Sequence, residues 1–198
     1  MKKASPSVDD LAKQFAVTFP AAGGRIRAPA AAACGSFDIR IGRDGTWYYM
    51  GSPIGRVELV KLFATVLKRD EQGDYWLITP AEQGRIEVED APFVAVELNA
   101  VGNGPDQALS LRTNLDEIVA VGRDHPLRVE HDPVSGEPAP YVLVRDGMEA
   151  RLSRPVYYEL VERGLERRVG GDHLYGVWSG GCFFPLGRLE ASEGAADE

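Results

Sequence analysis

A short pattern of turn, strand, proline and helix residues occurs twice in this chain, and the repeat constrains the fold more than any other feature. An Arg-Asp-Gly turn at residues 43–45 precedes a strand pattern, a Ser-Pro pair and a helical Glu-Leu-Val at residues 58–60. The same order returns at residues 145–147 and 159–161, with one residue inserted between the serine and the proline. Because repeated sequence indicates repeated structural units, we expect an α+β protein. It should contain two structurally related units, each a mainly antiparallel sheet with one main helix packed on it.

A competing interpretation of the repeat stays open at this point. Turn glycines and helix-capping serines occur in any mixed fold, and two such runs can arise without a shared structural unit. Under the repeat interpretation, the predicted organisation has four parts. These are an N-terminal arm with a short helix over residues 1–34, a first unit over 35–113, a second unit over 114–190 and an acidic tail over 191–198.

The first predicted unit begins with a hairpin and a helix. Apolar residues alternate with polar ones over residues 37–41, and a turn separates this strand from a second one over residues 46–50. Ser52 followed by Pro53 fits a helix N-cap and first helical position. A row of apolar residues then recurs at helical spacing, which predicts a mostly buried helix: Val57, Val60, Phe63, Ala64 and Leu67.

The rest of the chain is predicted to be mainly strands. The second helix is predicted over residues 155–166, with Val156, Leu160, Val161 and Gly164 on one side. Residues 132–140 contain three prolines and a glycine and are predicted to be an exposed loop. Strand patterns occupy residues 75–79, 85–89, 93–98, 109–113, 117–121, 127–131, 141–145, 173–178 and 182–186.

Charge and cysteine usage exclude several classes of partner and compartment. With 22 Lys and Arg against 30 Asp and Glu, the net charge is −8, which repels phosphate backbones and anionic membrane surfaces. No uncharged stretch reaches the roughly 18 apolar residues of a membrane-spanning helix, and charged residues interrupt any signal-peptide pattern at the N-terminus. Two cysteines far apart in sequence are typical of a reducing compartment. We therefore expect a cytoplasmic protein that binds neither nucleic acid nor membranes.

The segment from Trp47 to Arg56 carries the strongest binding signal. Aromatic faces and a guanidinium can hold a flat or anionic ligand by stacking, cation–π contact and bidentate hydrogen bonds. Strand alternation sends Tyr48 to the face opposite Trp47 and Tyr49, so the three rings cannot line one pocket. The alternative is an ordinary half-buried strand followed by an arginine in the first turn of a helix.

A turn at the end of a predicted strand adds two further candidates. Thr79 and Glu82 lie in this turn, and Glu82 could pair with Arg56 or Arg85. Loops at strand ends are where binding residues concentrate. The predicted ligand-binding residues are therefore Trp47, Tyr49, Arg56, Thr79 and Glu82, with Arg56 as the anchor for an anion.

Catalytic, metal and cofactor signals are weak throughout the sequence. His125 and His131 are six positions apart, which is about 20 Å along a straight strand and too far for one metal ion. Cys182 follows two glycines, but neighbouring phenylalanines favour burial of the thiol. The glycine-rich turn at residues 102–105 lacks the spacing of a phosphate-binding loop. No catalytic residue, metal ligand or cofactor is predicted.

Several segments resemble one bacterial family, the domain-of-unknown-function family 1285. The resemblance implies a two-part α+β fold with repeated structural units and a role in signal transduction, and it implies no catalytic residues. The residues that carry it are Trp47, Tyr48, Tyr49, Gly51, Ser52, Pro53, Ile54, Arg56, Leu59, Val60, Leu62, Phe63, Tyr75, Leu77, Thr79, Pro80, Glu82, Ile86, Val88, Asp90, Ala91, Pro92, Phe93, Gly147, Glu149, Ala150 and Arg151.

These observations favour a binding or regulatory module. The predicted ligand is a small molecule or a protein partner, recognised in the groove between the two units. One alternative is a hydrolase or transferase that uses Glu82, Asp90 and one histidine. Another is a structural homodimer built on exposed sheet edges.

Overall fold

Two compact units make up the chain, residues 1–92 and residues 93–198. The computed structural model describes residues 33–80, 82–133 and 135–189. The predicted short helix of the N-terminal arm and the predicted acidic tail lie outside these ranges. The contacts divide the chain after Pro92, whereas the division predicted from sequence falls after Thr113. The strand that begins at Phe93 pairs with strands of the second unit. The second unit therefore begins at Phe93 and not after Thr113.

The described part of unit 1 forms one six-stranded sheet and one helix. The sheet order is β3-β2-β1-β6-β5-β4, and all neighbours are antiparallel except β1 and β6. The elements are β1 (Ala33–Ile41), β2 (Trp47–Tyr49), β3 (Ser52–Pro53), α1 (Val57–Thr65), β4 (Leu67–Arg69), β5 (Tyr75–Ile78) and β6 (Glu82–Val88).

Unit 2 forms a six-stranded sheet, a three-stranded sheet and one α-helix within its described residues. The larger sheet has the order β10-β11-β12-β7-β8-β9, with β12 and β7 parallel, and the smaller has the order β13-β14-β15. The elements are β7 (Phe93–Val101), a 3₁₀ turn (Gly104–Asp106), β8 (Ala108–Thr113), β9 (Ile118–Ala120), β10 (Leu127–His131), β11 (Pro138–Arg145), β12 (Met148–Leu152), α2 (Arg154–Glu162), β13 (Leu165–Val169), β14 (Asp172–Ser179) and β15 (Cys182–Arg188).

The same order of elements occurs in both units. The hairpin β1–β2 precedes α1 and the antiparallel strands β4, β5 and β6, and the hairpin β11–β12 precedes α2 and the antiparallel strands β13, β14 and β15. Each of the two helices is nine residues long. The predicted fold class, two related α+β units with mainly antiparallel sheets, is confirmed.

The predicted start of the first helix is wrong. Ser52 and Pro53 do not cap a helix; they form the short edge strand β3, paired with Tyr49 and Tyr48. The helix begins at Val57, and Arg56 is its N-cap. A proline lacks the N–H that a central strand needs, but it is tolerated at a sheet edge, so the Ser-Pro signal is compatible with both structures.

The second helix ends earlier than predicted, at Glu162. Gly164 lies outside it and makes room for Tyr175, because a Cβ on Gly164 would stand 2.3 Å from the tyrosine ring. The Tyr175 hydroxyl donates to the carbonyl of Val161 at 2.8 Å. The residues after Gly164 form β13, a strand that the sequence analysis missed. The predicted loop over residues 132–140 is shorter than expected, because β11 begins at Pro138.

A helix face packed on aromatic residues forms the core of unit 1. The buried residues of α1 are Leu59, Val60, Phe63 and Ala64. The Phe63 ring is fully buried, and its centroid lies 6.3 Å from that of Trp47 on β2. Since β2 alternates buried, half-buried and buried, its two inward residues are Trp47 and Tyr49.

Buried polar groups join the two sheets of unit 2. Ser179 on β14 donates its hydroxyl hydrogen to the Val121 carbonyl at 2.6 Å, and its oxygen accepts the N–H of Leu109 at 2.9 Å. The Gln107 side-chain amide donates to the Trp178 carbonyl at 2.8 Å. Both polar side chains are buried with partners, which avoids the cost of unsatisfied groups. None of the helices in the described ranges has the length and apolar character needed to cross a membrane.

Replacing Phe63 by alanine tests the core of unit 1. Because the ring is fully buried, the variant should lose about 3–5 kcal/mol of unfolding free energy, from lost burial and the remaining cavity. Urea titration followed by tryptophan fluorescence measures this loss. Tyr158→Ala is the matched control, because Tyr158 also lies on a helix but is 62% exposed. Equal losses in the two variants would contradict the assigned core.

The carboxylate of Asp70 gives unit 1 a dependence on pH. Trp76 Nε1–H donates to Asp70 at 2.7 Å, and this bond, with backbone N–H bonds from Asp74 and Gln72, lowers the Asp70 pKa. A lowered pKa stabilises the fold above the unfolded value of about 4, and the contribution is lost as pH falls through the folded value. Asp70→Asn should therefore lower the melting temperature at pH 7, and its difference from the natural chain should shrink towards pH 2.

Thermal unfolding between pH 7 and pH 2 provides this measurement. Glu71→Gln is the control, since Glu71 is an exposed carboxylate in the same turn. A constant difference between the Asp70→Asn and natural chains over the whole pH range would contradict the role assigned to Asp70.

Candidate functional site

The structure places two of the five predicted binding residues in the core of unit 1. Trp47 is 1% exposed and Tyr49 is 9% exposed. The Trp47 indole N–H is buried and has no acceptor within the described ranges. Packing of the buried ring, and no hydrogen bond found in these ranges, therefore positions the Trp47 side chain. These positions match the alternative that the sequence analysis left open, an aromatic strand that packs against a helix.

Arg56, Thr79 and Glu82 are the other three predicted residues. Arg56 is exposed at the N-cap of α1, where its carbonyl accepts the N–H groups of Leu59 and Val60. Arg85, one of the two predicted partners of Glu82, pairs instead with Asp74 at 2.5 Å. The ligand-binding role of the five residues stays a prediction.

The turn between β5 and β6 is closed by Thr79. The Thr79 hydroxyl donates to the Glu82 carbonyl at 2.9 Å and accepts the Glu82 N–H at 3.1 Å. The Thr79 N–H also donates to the Glu82 carbonyl, at 2.9 Å. Thr79 is buried, and its hydroxyl both donates and accepts a hydrogen bond within the turn. This geometry favours a structural role for the side chain.

A cavity of about 400 Å³ lies on the opposite face of this sheet, the outer face of unit 1. It is on the side of the sheet that carries Tyr48, Arg40 and Glu87, which are neighbours across β2, β1 and β6. The residues that line it are Ser36, Phe37, Asp38, Ile39, Arg40, Tyr48, Gly51 and Glu87. We call it the outer-face pocket.

An irregularity in β1 shapes the outer-face pocket. The register of β1 against β6 shifts between Ser36, which pairs with Arg85, and Arg40, which pairs with Glu87. The three residues between Ser36 and Arg40 therefore face a single residue of β6, and such bulges bend a strand and redirect its side chains. Phe37 packs on Gly84, where a Cβ would lie 2.3 Å from the ring. The Asp38 carbonyl accepts the Met50 N–H at 2.9 Å, which anchors the β2–β3 turn.

The outer-face pocket carries more negative than positive charge. The Arg40 guanidinium pairs with Glu89 and lies over the Tyr48 ring, 4.1 Å from its centroid. Asp38 and Glu87 are exposed carboxylates, and no ion pair with either is found within the described ranges. The positive charge of Arg40 is therefore compensated by Glu89, and the negative charges of Asp38 and Glu87 remain beside the Tyr48 ring.

Metal-ligand residues are not clustered in the part of the chain that the structure describes. His125 Nδ1–H donates to the Leu143 carbonyl at 3.0 Å, and His131 ends β10. Cys182 is half-buried at the start of β15. These positions add no candidate site for a metal ion.

Comparisons with known proteins show the family of this chain. Residues 28–91 match the model described as "Domain of unknown function (DUF1285), N-terminal domain". Residues 92–186 match "Protein of unknown function (DUF1285), C-terminal domain". The chain belongs to the DUF1285 family. The junction of the two DUF1285 models coincides within one residue with the division between the two compact units.

Two solved DUF1285 structures are similar to this chain. A DUF1285 family protein from Silicibacter pomeroyi DSS-3 is 38% identical, with a TM-score of 0.78, over 94% of this chain and 97% of that one. A DUF1285 family protein from Shewanella baltica OS155 is 26% identical, with a TM-score of 0.50, over 64% of this chain and 92% of that one. No curated protein matches the sequence.

The sequence analysis missed the outer-face pocket, although part of its signal was visible. Alternation over residues 37–41 placed Asp38 and Arg40 on the polar face, and the opposite orientation of Tyr48 was predicted correctly. The parallel pairing of β1 with β6 and the shift in its register depend on contacts between distant residues. These contacts bring Glu87 beside Arg40, and local sequence does not encode them.

Substitution of Thr79 separates a structural role from a binding role. Thr79→Val removes the hydroxyl but keeps the shape, so it should cost about 1–3 kcal/mol of unfolding free energy, since it leaves the Glu82 N–H without its acceptor. Thr79→Ser keeps the hydroxyl and should lose clearly less. Chemical denaturation of both variants measures the difference. If the valine and serine variants were equally stable, the assigned turn bonds would be unimportant.

Proposed function

We propose that this DUF1285 protein is a cytoplasmic binding module with a role in signal transduction, and that it binds a small organic amine in the outer-face pocket. The observation that carries the proposal is a cavity of about 400 Å³ that combines the Tyr48 ring with two carboxylates lacking an ion-pair partner within the described ranges. A cytoplasmic location rests on the cysteine usage and charge of the sequence. The signalling role rests on the family resemblance.

The size of the outer-face pocket supports a small ligand. Cavities that hold small molecules have volumes of about 300–1,000 Å³, and this one lies near the lower limit. The pocket is formed by neighbouring strands of one sheet, so its walls are positioned by backbone pairing. A ligand here needs no rearrangement of the core.

The chemistry of the pocket supports a cation. A protonated amine can form charge-assisted hydrogen bonds with the carboxylates of Asp38 and Glu87. The Tyr48 ring offers a cation–π contact and covers an apolar part of the ligand. An anionic ligand would meet both carboxylates, because the Arg40 guanidinium is already paired with Glu89. The net charge of −8 also attracts cations to the surface.

This proposal changes the predicted anchor. The sequence analysis placed an anion at Arg56 and the stacking walls at Trp47 and Tyr49. The burial of both rings favours a ligand on the other side of the sheet, where Tyr48 lies. Recognition in a groove between the two units, by a small molecule or by a protein partner, stays a prediction.

Thermal shift assays with paired compounds test the ligand class. The probes are butylamine, 1,4-diaminobutane and agmatine, each compared with butyrate or succinate. A ligand at about 100 times its dissociation constant adds about 2.7 kcal/mol to stability. Amines should raise the melting temperature, and the carboxylates should not.

Variants of the outer-face pocket locate the binding. Asp38→Asn and Glu87→Gln should each weaken amine binding by about tenfold, which corresponds to the loss of one charge-assisted hydrogen bond. Glu71→Gln removes the same charge outside the pocket and should bind amines as the natural chain does. If all three variants kept the same affinity, or if no amine changed the melting temperature, the proposed ligand class would be wrong.

A further inference from the structure

The strand β13 forms an exposed edge of the three-stranded sheet. Within the described ranges its only strand partner is β14, to which a two-residue Gly170-Gly171 turn connects it. Both glycines have positive φ, +60° and +99°, as tight hairpin turns require. All five residues of β13 are exposed, including Leu165 at 47% and Val169 at 45%. An edge of this kind presents unpaired N–H and C=O groups to another strand.

The other described sheet edges are shorter or protected. The edge strand β3 has two residues and contains Pro53, and β4 and β9 have three residues each. The five-residue edge strand β10 and the edge strand β15 lie beside each other, and β15 also contains Pro185 and a register shift. Prolines, bulges and short strands are the features that prevent edge-to-edge pairing. The strand β13 has five residues and none of these features.

The sequence of β13 is complementary to itself in the antiparallel direction. If a second copy pairs about a two-fold axis at Arg167, Leu165 of each copy lies opposite Val169 of the other. In the same register, Glu166 of each copy lies opposite Arg168 of the other. Apolar pairs and pairs of opposite charge directly across two strands are the favourable combinations in antiparallel sheets.

The residue on the two-fold axis would be Arg167. Its guanidinium contacts aromatic rings of its own chain. Its guanidinium lies 4.5 Å from the ring centroid of Trp178 and 5.3 Å from that of Phe183. The two rings meet edge to face with centroids 5.5 Å apart. This cation–π contact holds each guanidinium against the rings of its own chain, and the two central arginines form the one like-charged pair of this register.

The strand pairing also places apolar side chains on one face. Residues 165, 167 and 169 share a face with Leu174 and Trp178, because paired residues of antiparallel strands point the same way. The opposite face of β14 carries Val177 and Ser179, which are both buried. Pairing of two copies would therefore join their exposed apolar faces into one surface across six strands.

We propose that two copies of this chain associate through β13, antiparallel and in the register centred on Arg167. The interface is symmetric, as in most homodimers. A five-residue strand pair is small, so we expect a weak dimer with a dissociation constant on the order of 10–100 μM. The proposal is independent of the outer-face pocket, which lies in unit 1.

Charge exchange within β13 tests the proposed register. The weight-average mass is measured by sedimentation equilibrium from about 5 μM to 1 mM, where the natural chain should rise towards twice its mass of 21.6 kDa. Glu166→Arg and Arg168→Glu each place like charges opposite one another at two points. Each should weaken association by about tenfold or more.

Two combinations restore opposite charges across the axis. The double variant Glu166→Arg with Arg168→Glu should dimerise as the natural chain does. An equimolar mixture of the two single variants should form heterodimers, because all cross-strand charges are then opposite. Rescue in these combinations separates the proposed pairing from other effects of the substitutions, such as the loss of the contact between the Glu166 carboxylate and His173 Nε2 at 3.0 Å.

Arg123→Glu is the matched control, an exposed charge reversal in unit 2 outside β13. It should associate as the natural chain does, and circular dichroism should confirm folding of every variant. A natural chain that stays monomeric up to 1 mM would overturn the proposal. Dimers that are unchanged in both single variants, or that the double variant does not restore, would also overturn it.

Discussion

The alternation of side chains along β2 decides which residues of unit 1 form the core and which can meet a ligand. A strand sends successive side chains to opposite faces, so Trp47 and Tyr49 must share one face and Tyr48 the other. The helix α1 covers the first face, where Phe63 packs near Trp47. Both large rings are therefore buried. Their burial stabilises the fold by a free energy proportional to the apolar area removed from water. Tyr48 is left as the aromatic residue of β2 on the polar face.

The outer-face pocket depends on this commitment and on the irregular pairing of β1 with β6. A regular parallel ladder would leave a flat polar surface, on which a small molecule loses little contact with water. The shift between Ser36 and Arg40 bends β1 and opens a concave region beside Tyr48 and Glu87. The pairing of Arg40 with Glu89 then determines the remaining charge of the region. Shape and charge thus arise from the same few strand contacts.

Local sequence predicted the parts of the fold that depend on local physics. Residues 127–131 form a strand at the predicted bounds, since apolar side chains alternate there and Pro126 precedes the strand. Ser52 and Pro53 misled the prediction because a proline is equally compatible with a first helical turn and with a sheet edge. The strand β13 was missed because three charged residues lie between Leu165 and Val169, and such a segment resembles the polar end of a helix. Two of the five predicted site residues, Trp47 and Tyr49, point into the core because α1 covers their face of the sheet. Alternation shows that they share a face, but it does not show which face the helix covers.

The two units show how one order of elements can produce different exposed surfaces. In unit 1, the strands after the helix join the hairpin through the parallel β1–β6 pair, and the combined sheet has room for a concave outer face. In unit 2, the strands after the helix remain a separate sheet, tied to the larger one through Ser179 and Gln107. The first strand after the helix has three residues in unit 1 and five in unit 2. A longer edge strand exposes more unpaired backbone, so its charges have a greater influence on which strand can pair with it. The opposite charges at Glu166 and Arg168 favour a second copy over an unrelated strand, because only a complementary sequence satisfies both positions in one register.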